Sequence, residues 1–211
     1  MSMHEKLLEV QQQILGILKE KLPPELTYHC YDHTIDVLTA TEQIAKREAV
    51  NDKDMMLLKT AAVFHDMGYI YSRENHEQKS CDVARKILSH EGIDSNTIEK
   101  ICDMIMATIV PQNPKNKLGQ IICDADLDYL GREDYFPISQ KVFEEFKHFG
   151  VVKDENEWKR MQVKFLESHH YFTQTSNELR NPGKLINLNK IKNDSFTPHT
   201  NPSPQGGEGL G

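Results

Sequence analysis

Ala61-Ala62-Val63-Phe64-His65-Asp66-Met67-Gly68-Tyr69 is the stretch whose reading decides the fold. Small and apolar residues run up to adjacent His65 and Asp66, and a glycine follows. Helical spacing puts Leu58, Ala61, Ala62 and His65 on one face, so His65 points the way the core does, and Gly68 is placed as a helix stop. Burying an imidazole beside a carboxylate is costly unless something binds them, and a divalent cation would offset that cost. The alternative is a helix that ends at the surface with both side chains in water. Ligands elsewhere in the chain decide between the two.

Working outward, nearly every segment repeats with the 3.6-residue period, and no run alternates as a strand does. Helices are expected over 3–21, 27–50, 53–67, 75–90, from Asp94 or Ser95 to before Pro111, 118–130, 138–149 and 154–170, with a shorter piece at 174–180. Pro23-Pro24, Gly92 and the turn-rich 111–117 segment punctuate them, and 69–75 reads as a polar loop. On the second helix His29, His33, Val37, Ala40 and Ile44 share a face. The sixth places Ile122, Ala125, Asp126 and Tyr129 together. The expected fold is all-α, a single helical bundle over residues 1–192. From 193 to 211 the sequence has little to bury and reads as a disordered tail.

The chain has 211 residues, enough for one substantial core. A net charge of -7 argues against broad nucleic-acid binding, which needs a basic face. It leaves room for a small phosphorylated substrate, because a metal can supply positive charge locally. No signal peptide follows Met1, and no apolar run is long enough to span a membrane. Cys30, Cys81, Cys102 and Cys123 are widely spaced and read as reduced, mostly buried thiols of a cytoplasmic protein.

Four candidate metal ligands then line up: His33, His65, Asp66 and Asp126. Asp126 is the most telling, because it interrupts an otherwise apolar helix, Ile121-Ile122-Cys123-Asp124-Ala125-Asp126-Leu127. Two neutral imidazoles and two carboxylates balance a divalent cation and leave positions open for water and substrate, as a catalytic site requires. Mixed N/O ligands suit Mn²⁺, Fe²⁺, Co²⁺, Ni²⁺ or Zn²⁺, with Mg²⁺ the harder alternative.

The pattern His33 … His65-Asp66 … Asp126 resembles the HD-domain superfamily of metal-dependent phosphohydrolases. Tyr28-His29-x-x-x-His33-Thr34-x-x-Val37, the 61–66 segment and Ala125-Asp126-Leu127 are similar to motifs of its cyclic-nucleotide phosphodiesterase branch. His76-Glu77-x-x-Ser80 and Asp124-Ala125-Asp126-Leu127-Asp128-Tyr129-Leu130-Gly131 look like motifs of small bacterial members. The resemblance implies a phosphohydrolase acting on a phosphate ester or anhydride, expected to be a nucleotide. His33, His65, Asp66 and Asp126 would hold one divalent ion, His29 would be the general acid, and Asp66 would also orient the attacking water. Arg73, His76 and Lys79 are candidate substrate-binding residues. His76 could instead serve a second ion, but Met104-Ile105-Met106-Ala107-Thr108 stands where two-metal members carry a further histidine. The competing functions are a non-catalytic nucleotide or metal sensor and an HD-type di-iron oxygenase. Asp128 is assigned a surface or capping role, His169-His170 a packing or interface role, and Trp158 the core. The 138–170 helices could form a homodimer face or a lid.

Overall fold

Caps set where most helices begin. Ser2 and Glu5 form a reciprocal capping box at the first helix, and Asn51, Asp94, Asn116, Asp154 and Thr173 each accept a backbone N–H three residues on. The computed structural model describes residues 2–194. They form α1 (Met3–Lys21), α2 (Tyr31–Arg47), α3 (Asp52–Phe64), α4 (His76–His90) and α5 (Ser95–Ala107). Then come α6 (Lys117–Asp126), α7 (Tyr135–His148), α8 (Glu155–Ser168), α9 (Gln174–Leu179) and α10 (Asn181–Asp194). Two 3-10 turns, Met67–Ile70 and Asp128–Gly131, follow α3 and α6, and no strand occurs among the described residues.

One large apolar cluster is built by α1 to α6, with Leu7, Ile14, Leu58, Ala62, Phe64 and Ile101 fully buried. A smaller one joins Tyr28 and residues 127–130 to α7, α8 and α10. The groove between them carries the site.

Several expectations need correction. The second helix starts at Tyr31, not 27, so His29 lies in the turn before it. Gly68 is not a left-handed stop. A Cβ there would lie 1.9 Å from the His76 carbonyl oxygen, so the glycine lets α4 approach. The 69–75 segment is not all polar loop, since Tyr69 is buried in the first 3-10 turn. The sixth helix ends at Asp126 rather than at 130, and Gly131 accommodates Arg180 and Gly183 of the α10 junction. No helix was expected over 181–194. Pro182 and Gly183 obscure its start, although proline fits the first turn of a helix, where its N–H is not needed. Residues 195–211, most of the expected tail, lie outside the described residues, and Asn193 and Asp194 close α10. None of the described helices is long and apolar enough to cross a membrane, and the four cysteines are unbridged.

Candidate metal centre and substrate cavity

α3 stops at Phe64 because the chain is taken up by side chains of α4. Ser80 Oγ donates to the His65 carbonyl (2.7 Å) and accepts from Gly68 N (2.8 Å). That clamp fixes the His65–Gly68 turn and turns Asp66 out of the helix. His65 Nδ1 donates to the Ala62 carbonyl (2.8 Å), which leaves the lone pair of Nε2 pointing away from the helix. Opposite, the first turn of α2 presents His33, and its Nε2 lies 3.4 Å from His65 Nε2. Asp66 Oδ2 stands 3.1 Å from His65 Nε2 and 3.5 Å from His33 Nε2. Asp126, the last residue of α6, brings Oδ1 within 3.3 Å of His33 and 3.5 Å of His65.

These separations are what ligands on one ion require, since bonds of about 2.1 Å meeting at tetrahedral or octahedral angles place donors roughly 3.0–3.5 Å apart. His33, His65 and Asp66 are all buried and form a group that could hold a metal ion. Asp66 Oδ2 is buried and accepts no hydrogen bond among the described residues, an orphan a cation would satisfy. The electrostatics agree. Burial alone would make His65 lose its proton, but the carboxylates of Asp66 and Asp126 hold it well above the usual imidazole range. Burial would likewise raise Asp66, yet the neighbouring imidazoles hold it far below the carboxylate range, and they hold Asp126 down at about 2. A site that pulls a proton this strongly pulls a cation for the same reason, and the two compete.

Next to this centre is a cavity of about 500 Å³. Its polar end carries Asp66, Asp126, His29, His76, Glu77 and Arg73. His76 Nδ1 is 3.2 Å from the Arg73 carbonyl, and Nε2 lies 3.5 Å from Asp66 Oδ1 and 3.3 Å from Glu77 Oε1. Lys79, one turn further along α4, does not line the cavity. The rings of His29 and His76 both stack on Tyr69, with centroids 4.5 and 4.0 Å away.

His29 Nδ1 lies 2.5 Å from Glu145 Oε1, while Glu145 Oε2 accepts the backbone N–H groups of Tyr28 and His29 at 2.9 and 3.0 Å. Burial pulls His29 toward neutrality, and the Glu145 hydrogen bond outweighs it and raises the imidazole's pKa. Sequence reasoning missed Glu145, which comes from α7 and is fully buried. The signal was present: in Val142-Phe143-Glu144-Glu145-Phe146 it shares a helical face with Val142 and Phe149. The neighbouring Glu144 masked it by making the pair look solvated.

The apolar end of the cavity comes from α7 and α8, chiefly Val142, Phe146, Trp158, Met161 and Phe165. Trp158, expected in the core, is half-buried and forms part of this wall. Two other aspartates differ from Asp126 in kind. Asp124 faces away, fully buried, and accepts from Phe172 N, Thr173 N and Thr173 Oγ1 at 2.7–2.9 Å. Asp128, expected in a surface or capping role, is buried and takes a 2.7 Å bond from Arg180 Nε. His169 packs between Phe165 and Tyr171, and His170 is exposed.

Fold and site together define an all-α protein with a buried His/Asp centre at the floor of a cleft. Residues 30–128 match the HD domain family model. No curated protein matches it. Among solved structures it is similar to Bacillus subtilis YpgQ in complex with ADP: 19% identity over 92% of this chain and 98% of that one, TM-score 0.63. The Lin1889 protein from Listeria innocua is 16% identical over 92% of this chain and 96% of that one, TM-score 0.64. A predicted HD superfamily hydrolase from an uncultured Thermotogales bacterium is 18% identical over 87% and 90%, TM-score 0.60.

Proposed function

We propose that this protein is a metal-dependent phosphohydrolase that cleaves a phosphate ester or anhydride of a small molecule, a nucleotide in our reading. The observation that carries it is the convergence of His33, His65, Asp66 and Asp126 beside the polar end of a cavity whose other end is apolar. The HD domain and the hydrolase and ADP complex among its structural neighbours support the reading.

His33, His65, Asp66 and Asp126 would hold the ion. When bound, a divalent ion supplies Lewis acidity toward a phosphoryl oxygen and lowers the pKa of water at neutral pH. Asp66 Oδ1, directed toward His76, accepts a hydrogen bond from the attacking water and orients it; as the water oxygen bonds to phosphorus, its proton passes through Asp66 Oδ1 to solvent. His29 is protonated at Nδ1 and Nε2, with Nδ1–H held by Glu145. As the phosphorus–oxygen bond breaks, its electron pair stays on the leaving oxygen, and His29 Nε2 gives that oxygen its proton. His29 is left neutral and still hydrogen-bonded to Glu145. Arg73 and His76 meet the phosphate oxygens, and the α7–α8 wall excludes water and receives the organic part of the substrate.

The test is chromatographic turnover of nucleoside mono- and triphosphates and cyclic nucleotides by metal-stripped protein, re-supplied with Mn²⁺, Co²⁺, Ni²⁺, Fe²⁺ or Mg²⁺. Metal-dependent product that disappears in Asp66→Ala is the expected result. Tight nucleotide binding without product under any metal would overturn it in favour of a sensor.

A further inference from the structure

Four arginines are partly buried, and three of them are neutralised. Arg85 bonds Glu99 through Nε at 2.8 Å, Arg132 bonds Asp36 at 2.7 Å, and Arg180 bonds Asp128 at 2.7 Å. Arg73 differs. Its Nε is buried with no hydrogen-bond partner, and among the described residues no carboxylate lies within ion-pairing distance of its guanidinium. The guanidinium instead lies over the ring of Phe149, at the end of α7, with Cζ 3.9 Å from the centroid. The ring holds the cation in place without neutralising it or using its in-plane donors. Arg73 lines the same cavity as Asp66 and Asp126, and its own carbonyl faces the His76 ring, so its backbone is tied to the centre.

A buried donor without a partner, on a planar cation aimed into a cavity, is the condition that an anionic ligand relieves. In the proposed reaction the phosphate that is cleaved lies at the His33, His65, Asp66 and Asp126 centre, which leaves Arg73 free to take a second one. We infer that Arg73, seated on Phe149, is a second phosphate subsite, so the substrate class is a nucleotide carrying two or more linked phosphates rather than a monophosphate. The inference rests on the phosphohydrolase reading of the same cavity. Glu77, a carboxylate at this end outside the candidate metal group, is 3.3 Å from His76 Nε2 and is occupied there.

The test is calorimetric binding of pyrophosphate and of orthophosphate to the full chain, with equal Mn²⁺ in cell and syringe. It compares wild type, Arg73→Gln and Arg73→Lys. Charge-assisted arginine–phosphate bonds predict that wild type prefers pyrophosphate by about 10-fold or more. Arg73→Gln brings the ratio toward one, and Arg73→Lys, which keeps the charge but not the planar fork, recovers part of it. A wild type without the preference, or a preference that survives Arg73→Gln, overturns the inference. Turnover on the nucleotide panel separates the two readings. A lost preference with no nucleotide turned over sinks the phosphohydrolase reading alone, and turnover with an unmoved ratio sinks the second subsite alone.

Discussion

The two halves of the cavity are made by different means. Helices α1–α6 pack a continuous apolar core, and the candidate metal-binding side chains stand at its edge on backbones fixed by hydrogen bonds, as with the Ser80 clamp on His65 and Gly68. Helices α7, α8 and α10 share a smaller cluster, and several large side chains of α7 and α8, Phe146, Trp158 and Phe165 among them, are only partly buried because they face the cavity. The first half places charge accurately by burying what holds it. The second presents shape, along with one buried acid, Glu145, that reaches back across the groove to His29.

Changes to the first half should act on the ion. Asp126→Ala is expected to abolish metal binding and turnover with little loss of stability, since it removes a carboxylate whose partners are ligands. Asp124→Ala, two residues earlier on the same helix, removes the acceptor of three hydrogen bonds that anchor 172–173. It should cost about 2–4 kcal/mol in denaturant unfolding and leave metal affinity near wild type in the folded protein. If the two variants behave alike, the division of labour along α6 is wrong.

A change in the second half should act on chemistry without touching the ion. Glu145→Gln is expected to slow turnover roughly 100-fold, as loss of a general acid's support does. The pH profile gives the sign. His29 works as the protonated form, so activity is present below its pKa and falls as pH rises through it. Glu145 raises that pKa against burial, so its loss moves the alkaline fall of activity to lower pH. Trp158→Ala should raise KM about 10-fold more than it lowers kcat, because it removes wall rather than reacting groups.

The smallest expected effect lies away from the cavity. Burial, with Lys184 beside it, pushes the His169 imidazole down to about 3. Folding therefore favours its neutral form, and the stability this gives is present above pH 6.5 and lost as pH falls from 6.5 toward 3. His169→Gln should flatten the acid side of the stability profile, by up to about 1.4 kcal/mol per pH unit.

What was legible in the sequence follows the same division. Buried acids and imidazoles on apolar helical faces stand out by period alone, so His33, His65, Asp66 and Asp126 could be found, and so could the all-α fold. Glu145 met the same criterion but was hidden by Glu144 at its side. His29 was placed on a helix because its spacing from His33 fits one turn, whereas its position is set by Glu145, 116 residues away, accepting the Tyr28 and His29 amides. The roles of Gly68 and Gly131 depend on close approaches by His76 and Arg180, which local sequence does not encode. α10 was missed because its stability comes from docking on the Asp128–Gly131 turn and α8 rather than from its own weakly amphipathic sequence.

The central claim is that one half of the cavity holds the ion and the other supports the acid. Its most direct test is the Mn²⁺ content per chain, by equilibrium dialysis and atomic absorption, of wild type, Asp126→Ala and Glu145→Gln, with turnover measured on the same samples. The account predicts one ion in wild type, none in Asp126→Ala, and one in a Glu145→Gln that has nonetheless lost most of its turnover. A Glu145→Gln that loses its ion along with its activity, or a wild type that binds none, would contradict it.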